Sequence, residues 1–212
     1  MAVERELWGG AFAARIFGEF VDISNYRQVP DHQEVYAHAD TDRSIIFEVV
    51  EMMDESDSRL AMQRHWEELC KANESPDHEC AIRQLTQEEV PNFPHSHQDD
   101  GCWVARGTQH ISKGRDSADA ANTVRVSLAL IRLPHVTTDL LVQSNVPTRI
   151  STASQARAAS PIHDEEAKTS DSNTSDDNSS SDVVPLEDFL AEALSSLQCR
   201  DWTLFGPDAA AP

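Results

Sequence analysis

Residues 123–144 read TVRVSLALIRLPHVTTDLLVQS, and this stretch decides the fold. Val124, Val126, Leu128 and Leu130 share one phase of a two-residue period across 123–133, which marks a strand. Residues 138–144 (TDLLVQS) form a second strand beyond Pro134. The four residues 134–137 leave room for a hairpin but not for a crossover, so the pair is antiparallel. Arg132 and Asp139 lie on the two sides of this turn, close enough to pair. Working outward, 44–50 (SIIFEVV) is nearly all apolar and β-branched, the pattern of a strand covered on both faces. Runs 11–17, 34–38 and 103–111 also read as strands, the first after the turn dipeptide Gly9-Gly10. Helical spacing appears over 58–71, through Leu60, Met62, Trp66, Leu69 and Cys70. It recurs over 186–197, through Leu186, Phe189, Leu190, Ala193, Leu194 and Leu197, with Pro185 suited to the helix start. Between these elements, 72–101 predicts a long loop with one short element near 81–85, because Pro91 and Pro94 break helices. Strands with few helices between them indicate an α+β domain built on a mainly antiparallel sheet.

The chain has 212 residues, with 17 Lys plus Arg against 37 Asp plus Glu and a net charge of −20. That balance excludes a nucleic-acid binder, which needs clustered cations against phosphates. It disfavours docking on anionic membranes as well, and steers basic protein partners instead. The apolar fraction of 39% predicts a core of about 170–180 residues plus a polar tail or insert. From Thr169 to Asp182 every residue is Ser, Thr, Asp or Asn. Such a segment buries too little apolar surface to offset its ordering entropy. The expected organisation is therefore one globular domain from 1–150 plus 184–212, interrupted by a disordered acidic insert at 151–183. The N-terminus carries neither a basic-then-apolar secretory pattern nor an Arg-rich transit pattern. The longest apolar run, 126–131, is far too short to span a bilayer. Sequons at Asn73, Asn173 and Asn178 read as chance, and Cys70, Cys80, Cys102 and Cys199 as reduced intracellular thiols.

Recognisable catalytic chemistry is missing. The seven glycines form neither a dinucleotide fingerprint nor a P-loop, and no H-E-x-x-H or G-x-S-x-G is present. His95 and His97, with His78, Cys80 and Cys102, have ligand-type side chains but not a typical zinc spacing. The expectation is a protein that is no enzyme and holds no metal or cofactor. One residue stands out on energetic grounds. Glu48 interrupts an apolar strand, where an unpaired buried carboxylate is costly, so it must reach an edge, a partner or solvent.

Several segments then line up in a familiar order. They are Leu7-Trp8-Gly9-Gly10-Ala11, Phe20-Val21-Asp22, Arg27 through Val35 (RQVPDHQEV), and Thr41 through Ile46 (TDRSII). Ala129 through Pro134 (ALIRLP), Thr138 through Leu141 (TDLL), Asn145-Val146-Pro147 and Leu204-Phe205-Gly206 follow. The pattern resembles the Ran guanine-nucleotide release factor family, the Mog-type Ran-binding proteins. Strong similarity covers about 7–51 and 102–147. The resemblance implies a PsbP-like fold, a mostly antiparallel six-stranded sheet with helices packed on both faces. It implies a protein that binds the GTPase Ran, promotes guanine-nucleotide release and regulates nuclear transport, and the expectation is a monomer of nucleus and cytoplasm. The family's acidic pair for Ran binding maps to Glu48 and Glu51, and Asp31, Glu34 and Arg27 are further partner-binding candidates among the matched residues. Glu48 and Glu51 lie three apart, so a regular strand points them to opposite faces unless it ends or bulges near Val50. Because fold does not fix function, an adaptor or trafficking protein for another basic partner is the alternative.

Overall fold

A computed structural model describes residues 1–38, 40–75, 79–111, 121–150 and 186–212. The expected insert at 151–183, and with it Pro185 and His78, lies outside the described residues.

The hairpin is as expected: β8 (Asn122–Leu133) pairs antiparallel with β9 (Thr138–Arg149) from Leu133↔Thr138 onward. A single 3-10 turn at Pro134–Val136 joins them, and Thr137 closes it in the left-handed region at φ 49°. β9 runs beyond the expected strand and through Pro147, which sits beside a register shift at Thr123/Val124. Proline is tolerated where the ladder is locally disrupted.

The main sheet has seven strands rather than six, all paired antiparallel, in the order β3-β4-β5-β9-β8-β7-β6. The remaining members are β3 (Phe20–Asp22), β4 (Gln33–His38), β5 (Ser44–Glu51), β6 (Cys80–Gln84) and β7 (Cys102–Ile111). β6 is the short element expected near 81–85, recruited as the edge strand.

The expected strand at 11–17 belongs to a separate three-stranded sheet. There β2 (Phe12–Phe17) lies between β1 (Ala2–Leu7) and the two-residue β10 (Gln198–Cys199). β1 (AVEREL) has three charges in six residues and shows little apolar alternation. Its pairing with β2, from Ala2↔Phe17 to Leu7↔Phe12, follows from the tight Gly9-Gly10 turn, with φ of 64° and 96°.

α1 (Ser58–Ala72) starts at Asp57, whose carboxylate accepts the Leu60 backbone N–H at 3.0 Å. It packs on β7, β6 and β8 on one sheet face. Ala61, Met62, Trp66 and Cys70 bury there against Ala105, Val126, Leu128 and Leu130. α3 (Asp188–Ser196) and the small sheet cover the opposite face. Phe12, Phe189, Leu190 and Leu194 bury there with Ile45, Phe47, Ile131 and Leu140. Helices thus pack on both faces, as expected.

Pro94 departs from the sequence expectation: it opens the short α2 (Pro94–Gln98) rather than breaking a helix. At a first helical position its missing N–H has no intrahelical partner to lose.

Gly107 of β7 lies directly under Trp66 of α1. A Cβ there would stand 2.5 Å from the Glu79 carbonyl oxygen and 2.6 Å from Trp66 Cζ2. Neither neighbour can yield freely, since one is backbone and the other a fully buried indole. Gly107→Ala is expected to cost about 1–3 kcal/mol by overpacking. A denaturant midpoint within error of wild type would refute it.

α3 is clamped at its first turn by Glu187. Its carboxylate accepts from Arg106 Nη2 at 2.8 Å, Arg125 Nε at 2.9 Å and Ser127 Oγ at 3.0 Å. Burial alone would raise its pKa, but local backbone bonding, the two arginines and Ser127 together hold it below 4.5. A depressed carboxylate contributes stability above its unfolded pKa and loses it as pH falls through the folded value. Wild-type stability is therefore expected to fall below about pH 4. In Glu187→Gln, which is less stable at neutral pH, that acid loss should be shallower in pH-dependent melting curves.

Candidate functional site

α1 covers the β6–β7–β8 half of its sheet face and leaves the β9–β5–β4 half less covered. Two hollows lie in the uncovered half. The first, about 560 Å³, is lined by Glu48 and Glu51 of β5, Met53, and His65, Glu68 and Leu69 of α1, among others. The second, about 510 Å³, is bounded by Arg27, Val35, Ala37, Ser44, Val124 and Asn145, among others. Ile46, Asn73 and Gln143 line both.

Glu48 occupies the floor of the first hollow. It stands opposite Gln33 in the β4–β5 register, and Gln33 Nε2 donates to its Oε1 at 2.7 Å. His32 Nε2 approaches the same oxygen at 3.2 Å. Oε2 has no partner among the described residues, so a half-satisfied carboxylate is held in place at the hollow. Its flanks, Ile46 and Val50, are half-buried apolar side chains. β5 stays in register with β9 through Glu51↔Thr138, so there is no bulge at Val50. Glu51, the last residue of the strand, lines the same hollow. Glu68 adds a third carboxylate from α1.

The other candidates are scattered around this pair. Arg27 is exposed and lines the second hollow, on the same face as Glu48. Asp31 is exposed in the turn closed by the Gln33 N–H to Pro30 carbonyl bond, at 2.9 Å, just before β4. Glu34 is not brought to the site. It stands opposite Phe47 on the other sheet face and accepts the Trp8 backbone N–H at 2.6 Å. That bond ties the β1–β2 turn to β4. Burial raises the Glu34 pKa and nearby Asp22 raises it further, while the Trp8 bond opposes both.

Behind the first hollow lies a buried polar network. Asp139, fully buried, accepts from Arg132 Nε at 3.1 Å, from His65 Nε2 at 2.8 Å and from the Met53 backbone N–H at 2.9 Å. Arg132 also donates to the Glu55 and Met53 carbonyls, each at 2.6 Å. The expected Arg132–Asp139 pair is thus present, and it anchors α1 and the segment after β5, the elements that wall the hollow. Sequence reasoning missed His65, Met53 and Glu68. Their signal was weak, since 52–101 carries almost no family motif. Only the helical period over 58–71 placed His65 beside the buried Trp66.

The described residues among those weighed for zinc are not gathered. Cys80 packs with the α1 core and Cys102 with the opposite one. Burial pushes their thiols up, to about 11 and about 12. His97 donates from Nε2 to the Val90 carbonyl at 3.1 Å. Among the described residues no group of three or more His, Cys, Asp or Glu is placed to hold a metal, and no helix is long and apolar enough to cross a membrane.

A family model described as "Ran-interacting Mog1 protein" matches residues 5–147. The chain is similar to the Ran guanine nucleotide release factor of Danio rerio, with 36% identity over 157 residues, 74% of this chain and 84% of the relative. It is similar also to a probable Ran guanine nucleotide release factor of Dictyostelium discoideum, with 33% identity over 205 residues and 95% of each chain covered. Among solved structures, the Saccharomyces cerevisiae Ran-binding protein Mog1p superposes with a TM-score of 0.57 at 29% identity, covering 76% of this chain and 84% of that one. The matched span includes β4, β5 and the β8–β9 hairpin as far as Pro147, and on the strength of these matches the chain belongs to the Ran-interacting Mog1 protein family.

Proposed function

We propose that this protein binds the small GTPase Ran through the Glu48–Glu51 hollow and promotes release of its guanine nucleotide. It acts as a binding regulator of nuclear transport and not as an enzyme. The observation that carries the reading is Glu48, fixed by Gln33 and His32 with one oxygen open at a hollow that Glu51 and Glu68 also line. Such a carboxylate suits a basic group of the partner, and the net charge of −20 speeds the encounter. Arg27 and Asp31 extend the contact around it, while Glu34 supports the scaffold from behind.

Release follows from linkage. A ligand that prefers nucleotide-poor GTPase must weaken nucleotide binding by the same factor. Glu48 and Glu51 accomplish this by engaging basic or Mg²⁺-coordinating elements that otherwise serve the phosphates. The protein works as a monomer, in keeping with its strongly acidic charge, in nucleus and cytoplasm.

The test is the rate at which fluorescent GTP leaves purified Ran, with and without the protein. Acceleration that falls as salt rises is expected, because exposed charges are screened over about 8–10 Å at physiological ionic strength. Binding without acceleration would recast the protein as a Ran-binding adaptor. Neither binding nor acceleration would sink the reading.

A further inference from the structure

We propose that the two hollows form one trough that receives a single helix of the partner, with a cationic side chain at the Glu48 end and an anionic one at Arg27. The inference rests on the Ran-binding reading and adds to it an element type, a charge order and a second contact half.

Continuity comes from Ile46, Asn73 and Gln143, each of which lines both hollows. The trough follows β5 from Ser44 to Glu51, which is about 23 Å at a strand rise of about 3.3 Å per residue. A helix of about 15 residues has that length.

The floor argues for a helix rather than a strand. β5 is hydrogen-bonded to β4 on one side and to β9 on the other, so its backbone has no ladder to offer. What it presents is a sheet face with Val35, Ile46, Val50 and Leu141 among polar side chains. Sheet faces are covered by packed elements, and α1 already covers the adjoining half in that way. Toward the Ser44 end the polar side chains are hydrogen-bonded to one another and so tolerate cover. Gln143 Nε2 donates to Asn145 Oδ1 at 2.7 Å, and Asn145 Nδ2 donates to Ser44 Oγ at 3.0 Å.

Charge sets the order. Glu48, Glu51 and Glu68 gather at one end. At the other, the Arg27 guanidinium is exposed and has no partner among the described residues. Asp42 lines the same hollow but is already engaged. His38 lines it as well and accepts the Asp40 N–H at Nδ1.

The test compares affinity for Ran across two variants of the second hollow, Arg27→Glu and Ala37→Phe. Each is expected to weaken binding about tenfold, the first by charge reversal and the second by filling the space. Arg27 is exposed on a turn, so its variant keeps the fold even if the larger Phe does not. A photo-crosslinking residue at Thr41 or Ala72, which line the second and first hollows, should then mark one helix of Ran. The acidic residue nearest the Thr41 crosslink, once changed to lysine, should restore binding to Arg27→Glu. If Arg27→Glu binds as wild type, or the two crosslinks fall in separate segments, the trough is wrong. Should Glu48→Lys still abolish binding in that case, the Ran reading stands without it. Wild-type protein that fails to bind Ran would sink both.

Discussion

Glu48→Lys is expected to weaken Ran binding at least about 100-fold and to abolish the acceleration of nucleotide release. Removing one member of a desolvated charge pair across an interface costs about 2–5 kcal/mol. At about 1.4 kcal/mol per factor of ten, that is roughly 30- to 3,000-fold, and reversing the charge adds repulsion. The fold should be spared. Glu48 is 26% exposed, and the Gln33 amide and His32 ring it releases can both turn to water. The lysine stem can lie along Ile46 and Val50 while its ammonium reaches solvent. Titration of Ran by fluorescence anisotropy, with circular dichroism as the folding control, decides the matter. A folded Glu48→Lys protein that binds Ran normally would remove the acidic hollow from the mechanism. Glu48→Gln, which keeps an acceptor for Gln33, should fall between the two.

The second large effect concerns stability. Asp139→Ala is expected to destabilise the fold by about 3–5 kcal/mol, because it leaves Arg132 buried without its counter-charge. Arg132 is 5% exposed and Asp139 is fully buried, so water cannot replace the lost partner. The change also orphans the His65 Nε2 and the Met53 backbone N–H. For a protein of this size the melting temperature should drop by about 10 °C. Replacing both members, as Arg132→Met with Asp139→Leu, should cost less than Asp139→Ala alone, since no buried charge is then stranded. Thermal melts of the two variants and wild type form the comparison. A drop under about 2 °C for Asp139→Ala would show that the network contributes little. Binding should suffer as well, since Met53 and His65, which the network positions, line the hollow.

The hairpin, β5 and α1 were legible in the chain because each is signalled locally. The two-residue period at 123–133, the four-residue gap before 138 and the helical spacing at 58–71 all act within one or two turns of chain. β1 and α2 were not legible. A strand with three charges in six residues has no apolar alternation to show, and a proline signals a helix start only once its neighbours are known to be helical. The site divides in the same way. Glu48 stood out because a carboxylate inside SIIFEVV needs an explanation, and the family motif supplied one. Glu34 matched the same motif, but its register on β4 turns it to the other face and onto Trp8, 26 residues away.

By itself, then, the sequence determined the α+β class, the antiparallel hairpin and the family resemblance, and it singled out Glu48 as a candidate. These follow from side-chain period, loop length and the cost of isolating a charge. Only the tertiary structure decided which carboxylates share a face, that Glu48 and Glu51 line one hollow, and that Asp139 gathers Arg132, His65 and Met53. Those pairings join residues up to 86 positions apart. They depend on strand register, where a shift of one residue exchanges the two faces of a sheet, and no local pattern records that choice across distant segments.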